Sequence, residues 1–599
     1  MRTIQESIWH IFLNLGKLKI KHEFIFLFLI ITYFGLGIYL INTTSLTGDE
    51  PAYLGAAYAY TKGQGLNQEH PLLLKLINSV LIQFFFNEHN IEVPNPQTLD
   101  AISIRLVPFS LGYSFLMSNQ DKFDTILFAS RFAYLTFNSI LLFWLYIYTY
   151  KLKLIKPIFS ISLAIIYIFS PSFYAHNFLT TFDVASAICA LLTILSLTII
   201  VRNFSSFKIR EYLAHFLLFT ILLCFSLNVK FSNFILVPIV IIAYLVTIIY
   251  FLSISKHQLA VKLSLFSTVS LLIQPLLIAI MYRIAFSKLP NQGIIDNLNR
   301  YYQGLLITLG AKYNVQQPFL YGKFVPITYI EYIRNIFWFR ENPGLFLIFM
   351  VIILSSIFIF LTNKTKLRRQ FKNLNIRIVL PSIALLFLVS IYPVIYFYLA
   401  SNSRFVLGYR YFYPVLIFIY ALVAIFIASI RNKIQQICLI FSLIVYIIFG
   451  VIGIPQSLSY VNYLWTEEKW KLTHDINWGQ ETKYTVQYLL DNNLLPSKND
   501  NIIIHGLDVV VLNFTEYLSI MTRDKNNFDI GSYYTRFSFD ENSKIQDLDY
   551  KYLVVDSIFK QRLSAKSTTN SIAAQNFKFI EKTNPIYSRN GIIFIYQLK

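Results

Sequence analysis

Long apolar runs separated by short polar segments are the dominant pattern of this chain. Each run is long enough to cross about 30 Å of hydrocarbon as a helix. The pattern predicts about eleven such spans, over residues 23–42, 125–149, 155–172, 178–200, 211–228, 232–253, 262–286, 343–362, 377–400, 406–429 and 434–454. We therefore expect a mainly α-helical, polytopic membrane bundle.

Two segments between the spans are too long to be simple connections. Residues 43–124 contain two amphipathic runs, over 70–86 and 98–115, and residues 287–340 are rich in Asn, Gln and Tyr. Amphipathic helices of this kind lie in the membrane interface. We expect both segments to cover the outer end of the bundle.

The hydropathy of the chain falls after about residue 457. The run ETKYTVQYLLDNN predicts a helix, whereas IIIHG, KYLVVDS, FKFIEK and GIIFIYQL are short β-branched runs bounded by turn residues, which predict strands. We therefore divide the chain into a transmembrane domain, residues 1–456, and a small soluble α/β domain, residues 457–599.

Membrane topology explains the positive charge of the chain without a nucleic-acid partner. The chain is 56% hydrophobic and has a net charge of +20. Its basic residues concentrate in alternate short loops, as cytoplasmic loops do. This distribution places the N-terminus in the cytoplasm, and an odd number of spans then places the C-terminal domain outside the cytoplasmic membrane. The three cysteines lie inside apolar runs and indicate no disulfide framework.

Asp49 and Glu50 stand side by side where the first span ends. A charged side chain at the end of a membrane helix costs free energy, so a functional role is expected for these residues. A carboxylate in this position can accept a proton from an alcohol or an amine. Alternatively, Asp49 caps the next helix, which has Pro51 in its first turn. The two roles are compatible, because a cap would also fix the carboxylate.

Two further polar clusters interrupt the apolar pattern. The first is Glu69, His70 and Lys75, whose cations could bind a phosphate, although Lys75 could instead extend to lipid headgroups. The second is His176, Thr180, Thr181 and Asp183, at the boundary of two spans. An unpaired carboxylate is expensive there, so Asp183 is expected to have a partner or to face water. Capping by Thr181 or Asp183 is the structural alternative.

Four cations share the predicted outer rim with these carboxylates: Arg131, Lys230, Arg404 and Arg410. An arginine fork matches phosphate oxygens, so the rim predicts a site for an anionic headgroup. Ordinary anchoring at the interface is the alternative. Asp49, Glu50 and His176 could also gather around a divalent metal, although no tight ligand spacing demands one.

The order of these segments resembles that of a known family. The matching pieces are DEPAYL, EHPLLLK, the Arg131 segment, SPSFYAHNFLTTFD, NVKFSNFILVP, GYRYFYP and DINWGQETKYTVQYL. Together they resemble the polyprenyl-phosphate-dependent glycosyltransferases of the GT-C class, in particular the protein O-mannosyltransferase and lipid A aminoarabinose transferase group. The chain lacks the second proline that commonly follows His70 and Pro71 in that family. It also has Asn477 where the family commonly has Asp, so no acid role is carried to that position.

The resemblance implies an inverting transfer of a sugar from a polyprenyl-phosphate donor at the outer face of the cytoplasmic membrane. The acceptor would be a protein, a lipid or a glycan, membrane lipids would surround the bundle, and no nucleic acid would take part. Asp49 would be the general base, and Glu50 would position it. The candidates for the donor phosphate are His70, Lys75, Arg131, Lys230, Arg404 and Arg410, with Arg410 as first choice. The candidates for the rest of the substrate are Glu69, His176, Thr181, Asp183, Tyr411, Trp478 and Gln480.

Three other functions fit part of the pattern. A transporter of an anionic or lipid-linked substrate would need ionisable residues or broken helices near the bilayer midplane, whereas the charges here gather at one rim. A lipid-linked glycan ligase or polymerase would share the mechanism and differ in its acceptor. A scaffold without activity would not need the intact acidic pair.

Overall fold

A computed structural model describes residues 22–66, 70–85, 91–93, 103–151, 157–289, 293–310, 318–362, 376–401, 408–465, 468–494, 502–505, 517, 521, 544–547 and 551–598. Within these residues, eight helices are long and apolar enough to cross a membrane, and two bent helix pairs raise that number to ten. The protein is therefore a multi-pass membrane helical bundle. One more predicted span coincides with the helix Ile376–Ser401, of which Leu386–Ser401 forms a shorter apolar helix.

The helices follow the predicted spans and outer segments. In chain order they are α1 (His22–Thr43), α2 (Glu50–Thr61), α3 (Leu73–Phe85), α4 (Ser103–Ser118), α5 (Phe123–Lys151), α6 (Pro157–Ile168), α7 (Pro171–Asn177), α8 (Asp183–Asn203), α9 (Ile209–Val229), α10 (Leu236–Ser253), α11 (His257–Ala285), α12 (Ile294–Gly310), α13 (Tyr329–Arg340), α14 (Pro343–Thr362), α15 (Ile376–Ser401), α16 (Tyr413–Ser429) and α17 (Lys433–Gly453). A short hairpin, β1 (Phe319–Leu320) and β2 (Lys323–Phe324), lies between α12 and α13. The bends are 73° between α6 and α7 and 103° between α13 and α14.

Helix α8 is the centre of the bundle. Its most apolar stretch is 94% buried, whereas the corresponding share is 33% for α1, α10 and α17. It packs against α5, α9, α15 and α16. Asp183 is its first residue, so the most buried helix begins with a carboxylate at the rim of the bundle.

The first outer segment is held together by a close helix crossing. Both predicted amphipathic runs form helices, α3 and α4, and α4 crosses α2 at two glycines. A Cβ atom at Gly55 would lie 2.1 Å from the carbonyl oxygen of Pro108, and one at Gly112 would lie 1.8 Å from that of Pro51. Only glycine allows this approach, and the crossing fixes the start of α2, next to Asp49.

The C-terminal region contains a small mixed sheet with helices. Its elements are α18 (Lys469–Leu472), α19 (Thr482–Asp491), β3 (Ile502–His505), β4 (Tyr552–Asp556), α20 (Ser557–Lys566), α21 (Ser571–Lys582), β5 (Tyr587–Arg589) and β6 (Ile593–Gln597). The strand order is β3-β4-β6-β5, with β3 and β4 parallel and the other pairs antiparallel. The helix and three of the four strands that the sequence predicts here are confirmed.

The two central strands of this sheet, β4 and β6, are buried on both faces along almost all of their length, which explains their continuous apolar sequences. In β4, Tyr552 and Val554 belong to one hydrophobic cluster, and Leu553 and Val555 belong to another. The first cluster also contains residues of α2 and α4, and the second contains residues of α20 and α21. The sheet therefore shares a hydrophobic cluster with the first outer segment. The domain boundary at residues 456 and 457 stays a prediction.

The fourth predicted strand, FKFIEK, is wrong. These residues form the end of α21, which Asn570 caps by accepting hydrogen bonds from Ile572 and Ala573. Ala573, Phe577 and Ile580 recur at helical spacing and pack into one cluster. A six-residue window shows the β-branched and aromatic content but hides this longer period.

Candidate active site

Asp49 and Arg410 form an ion pair at the rim of the bundle. Asp49 precedes α2, and Arg410 lies in a short 3-10 helical turn, Tyr409–Phe412, before α16. The Arg410 Nη1 atom donates to Asp49 Oδ2 at 2.6 Å. The Asp49 side chain is 26% exposed and makes no capping hydrogen bond to α2. The capping alternative therefore does not hold, and the carboxylate stays accessible beside a cation.

Glu50 is bound quite differently from its neighbour. Its two oxygens accept from Arg131, from Nε at 2.8 Å and from Nη2 at 2.6 Å. The backbone N–H and the hydroxyl of Thr47 donate to the same carboxylate. Both side chains of the Glu50–Arg131 pair are fully buried. Glu50 is therefore buried within the loop that carries Asp49, and its predicted role in positioning Asp49 stays a prediction.

Arg131 has no donor left for a phosphate. A guanidinium carries five N–H groups, and two of those of Arg131 point to Glu50. The others donate to the backbone carbonyls of Ile41, Thr44 and Ser45. The prediction that Arg131 binds phosphate is therefore wrong, because its charge and all of its donors serve the fold.

A second ion pair lies beside the first. Lys230 Nζ donates to Asp183 Oδ1 at 2.5 Å, and Arg410 Nε lies 3.9 Å from Asp183 Oδ2. The Tyr411 ring centroid is 4.3 Å from Lys230 Nζ and 5.5 Å from the guanidinium carbon of Arg410. Asp183 makes no capping hydrogen bond to α8 and pairs with Lys230 instead. Lys230 is thus the partner that a buried carboxylate was expected to need. Two carboxylates, including Asp49, and two cations thus form one compact cluster.

Arg410 differs from Arg131 in its unused donors. Among the described residues its one hydrogen bond goes to Asp49, and its buried Nε atom has no hydrogen-bond partner. The Trp478 ring centroid lies 4.3 Å from the guanidinium carbon. Stacking on an aromatic face leaves the N–H edge of a guanidinium available to an anion. Arg410 is therefore the cation of this cluster that is best suited to a phosphate.

His70 and Lys75 lie next to this cluster in the first outer segment. Lys75 is buried, donates to the backbone oxygen of His70 at 2.7 Å, and packs near the rings of Tyr60 and Phe182, so it does not extend to lipid headgroups. Burial, together with the charges of Lys230 and Lys75, lowers the pKa of His70 well below its usual range. This shift disfavours the charged form of His70, and its predicted role at the donor phosphate stays a prediction.

The last turn of α7 brings a second histidine, His176, to the site. The His176 ring lies 5.4 Å from the Trp478 ring, and within the described chain its buried Nδ1 atom has no partner. Thr181 donates to the carbonyl of His176 at 3.2 Å and is buried. Thr181 therefore shapes the turn before α8, and its predicted contact with the substrate stays a prediction. Among the described residues, the Nδ1 atom of His176 has no hydrogen-bond partner.

Gln480 makes hydrogen bonds within its own segment, and its predicted contact with the substrate stays a prediction. Its Oε1 atom accepts from the backbone N–H of Trp478 at 2.7 Å, and its Nε2 atom donates to the carbonyl of Ile476 at 2.8 Å. Both ends of the side chain are thus used within one short segment. Trp478 itself is half-buried, and its ring faces Arg410, which agrees with a place in the site.

Glu69 and Arg404 complete the predicted set. Both fall outside the described residues. Their roles in binding the substrate and the donor phosphate therefore stay predictions.

The residues that could have formed a metal site are used otherwise. Asp49 pairs with Arg410, and Glu50 pairs with Arg131. In the described part of the chain, no three His, Cys, Asp or Glu side chains group closely enough to hold a metal ion. The described geometry therefore gives no support to the divalent metal that Asp49, Glu50 and His176 suggested.

Asp475 was missed from the sequence. Its Oδ2 atom accepts from the backbone N–H of Tyr409 at 2.7 Å, directly before Arg410, and it is buried. The resemblance to the family singled out Asn477 instead, and the side chain of Asn477 donates to Asp556 at 3.0 Å. The available signal was an acidic residue two positions earlier in the same DINWGQ run.

Glu341 was also missed. It lies at the bend between α13 and α14, is fully buried, and accepts from the hydroxyls of Tyr409 at 2.7 Å and Tyr420 at 2.8 Å. The sequence offered no signal, because the two tyrosines are far from it along the chain. Glu341 anchors the ring of the residue before Arg410, just as Asp475 anchors its backbone.

Comparison with known proteins gives a similarity in overall structure. No protein-family model and no curated protein matches the chain. The crystal structure of ArnT from Cupriavidus metallidurans bound to undecaprenyl phosphate aligns at a TM-score of 0.42 and 9% identity, over 96% of this chain and 98% of that one. The apo structure of the same protein aligns at the same TM-score and identity, over 96% and 97%. The alignment with ArnT covers nearly the whole of both chains. The chemistry of the site follows from this chain's own residues.

Proposed function

We propose that the protein is an inverting glycosyltransferase that moves a sugar from a polyprenyl-phosphate donor to a protein, lipid or glycan acceptor. The observation that supports this most is the unequal use of two arginines. Arg131 has every donor bound within the fold, whereas Arg410 makes one hydrogen bond to the described residues, to the accessible carboxylate of Asp49. Transfer from a phosphate leaving group needs this combination of a base and a cation.

The proposed step uses Asp49 as the general base. It takes the proton of the acceptor O–H or N–H while that oxygen or nitrogen attacks the anomeric carbon of the sugar. The bond between the anomeric carbon and the phosphate oxygen breaks, and its electron pair leaves with the polyprenyl phosphate. Attack opposite the leaving group inverts the anomeric centre.

The cations of the cluster would stabilise the leaving group. Charge grows on the phosphate oxygen as the bond breaks, and Arg410 and Lys230 are the nearest described cations to Asp49 and Asp183. Preorganised cations in a partly dry site act more strongly on such charge than they would in water. Asp183 holds Lys230 in place, so the cluster needs little rearrangement when charge develops.

The proposal also includes the outer face of the cytoplasmic membrane as the place of the reaction. The support is the concentration of Lys and Arg in alternate loops. A donor with an apolar polyprenyl chain can reach a site at the rim of a bundle from within the bilayer. An acceptor from the aqueous side would meet the same site from above.

The test is transfer by the purified protein in liposomes. The donor is a polyprenyl phosphate that carries a radiolabelled sugar, and the acceptors are cell-envelope proteins and lipids. We expect protein-dependent movement of the label to an acceptor, with release of an equal amount of polyprenyl phosphate. Flux of ions or labelled solute across the liposome membrane, without release of polyprenyl phosphate, would favour a transporter and contradict the proposal. Mass spectrometry of the labelled product then names the acceptor.

A further inference from the structure

Residues 475–480, which follow the membrane bundle, contact both partners of the proposed catalytic pair. The backbone oxygens of Trp478 and Gln480 accept from Gly48 at 2.9 Å and from Ser45 at 3.0 Å. These hydrogen bonds hold the loop that ends at Asp49. Residues 475–480 therefore fix the position of Asp49 through the backbone of the loop that precedes it.

The other partner is held through two contacts. Asp475 accepts from the backbone N–H of Tyr409, and the Trp478 ring packs on the guanidinium of Arg410. The indole Nε1 atom of Trp478 donates to the carbonyl of Asp475 at 3.2 Å, which fixes the ring relative to the carboxylate. The segment therefore sets where the guanidinium lies relative to Asp49.

Gly408 shows how closely the segment and the arginine turn must fit. It has a φ of +112°, a conformation that residues with a side chain rarely adopt. A Cβ atom there would lie 2.2 Å from the Oδ1 atom of Asp475. A buried carboxylate that accepts from a backbone N–H makes a strong, charge-assisted hydrogen bond. Gly408 thus provides the space in which Asp475 reaches the turn.

We propose that Asp475 is a positioning residue that acts through Arg410, and that residues 475–480 align the catalytic pair. This inference rests on the proposed function. Asp475 does not touch the substrate, and its role is to hold Arg410 where charge develops on the leaving phosphate. The segment after the membrane bundle would thereby complete the active site rather than only cover it.

The test compares the rate of sugar transfer from a labelled polyprenyl-phosphate donor among purified variants. Asp475→Ala should lower kcat about 10- to 100-fold, with little change in the KM for the acceptor, because a misplaced cation is felt mainly in the transition state. Asp475→Asn should keep most of the rate, because the amide oxygen can still accept from Tyr409. Gly408→Ala should behave like Asp475→Ala. Lys483→Ala, which removes an exposed ion pair to Asp124, is the matched control and should leave kcat unchanged.

A double variant separates positioning from general stability. If Asp475 acts through Arg410, Asp475→Ala in an Arg410→Ala background should cause no further loss of kcat. Full additivity of the two losses, or an unchanged kcat in Asp475→Ala, would overturn the inference while leaving the proposed function intact. A wild-type protein without transfer activity, or an Arg410→Ala variant with full activity, would instead overturn the proposed function. Unfolding temperatures, measured in parallel, restrict the comparison to folded protein.

Discussion

At the scale of single residues, two adjacent carboxylates have separate tasks. Asp49 is accessible and pairs with Arg410, whereas Glu50 is fully buried and accepts hydrogen bonds from Arg131 and Thr47. A substitution at either position is therefore expected to fail for a different reason. At Asp49 the loss should be in chemistry, and at Glu50 it should be in stability.

We predict that Glu50→Gln destabilises the protein by about 3–5 kcal/mol, because it leaves the buried charge of Arg131 without a partner. Denaturant unfolding in detergent micelles measures this loss. Asp49→Asn is the matched control and should change the stability by about 1 kcal/mol or less, because its ion pair is partly exposed. Equal stability of both variants would show that the Glu50–Arg131 pair does not hold the loop.

The lowered pKa of His70 predicts a pH dependence of stability. The folded state lowers the pKa of His70, through burial first and through Lys230 and Lys75 next, so the unfolded chain binds more protons below the ordinary value. Stability should therefore be unaffected by this group above about pH 6.5 and should fall as the pH decreases below it. Unfolding temperatures of the wild type and His70→Gln between neutral and acidic pH measure the effect. Profiles with the same slope would contradict it.

Residue types in the sequence predict the members of the site better than their roles. Asp49, Asp183, Lys230 and Arg410 meet as predicted, because charge at a membrane rim needs partners. The choice between Arg131 and Arg410 could not be predicted, because it depends on backbone carbonyls that face one guanidinium and not the other. Glu50 and Arg131 are 81 positions apart in the sequence, and Asp49 and Arg410 are 361 positions apart. Contacts over such separations leave no local pattern in the sequence.

At the scale of helices and strands, the crossing of α2 and α4 controls where Asp49 lies. Pro51 is in the first turn of α2, and its carbonyl lies where a side chain at Gly112 would begin. Helix α2 cannot keep its place if α4 is pushed away. The crossing therefore links a contact outside the site to the geometry of the carboxylate.

We predict that Gly112→Ala destabilises the protein by about 1–3 kcal/mol and lowers sugar transfer, because the added methyl group would displace α2. Gly35→Ala is the matched control, since a Cβ atom at Gly35 meets nothing within 4 Å. It should leave both stability and transfer unchanged. Normal stability and transfer by Gly112→Ala would show that the crossing does not position Asp49.

Long elements were predicted more reliably than short ones. The predicted spans coincide with helices because about twenty apolar residues leave few other structures in a membrane. The FKFIEK run failed because six residues carry too little periodicity to separate a helix end from a strand. The sequence also did not predict the bends between α6 and α7 and between α13 and α14. Composition shows that a run is apolar, but it does not show where the helix axis changes direction.

At the scale of the whole molecule, the site lies between the membrane bundle and the C-terminal region. The sheet shares a hydrophobic cluster with α2 and α4, and residues 475–480 contact the loop before α2. The sequence predicted the first outer segment and the C-terminal region, and it placed both on the outer side of the membrane. It could not predict their packing, because each strand face reads as equally apolar.

We predict that the C-terminal region is outside the cytoplasm, on the same side as Asp49. A cysteine-free background is needed first, through replacement of Cys189, Cys224 and Cys438. In that background Lys582→Cys should react with a membrane-impermeant maleimide on intact cells, and Lys256→Cys should react only after permeabilisation. Both positions are exposed, so access depends on topology alone. The reverse labelling pattern would place the site in the cytoplasm and contradict the proposed orientation.

The rate of sugar transfer by Asp49→Asn in a single turnover tests the central claim most directly. A saturating polyprenyl-phosphate sugar is bound first, and the acceptor is then mixed in, so that neither donor binding nor product release limits the rate. Because the variant loses the general base but keeps Arg410, we predict a rate about a hundredfold or more below that of the wild type, with donor binding retained. A folded Asp49→Asn variant that transfers sugar at the wild-type rate would contradict the account.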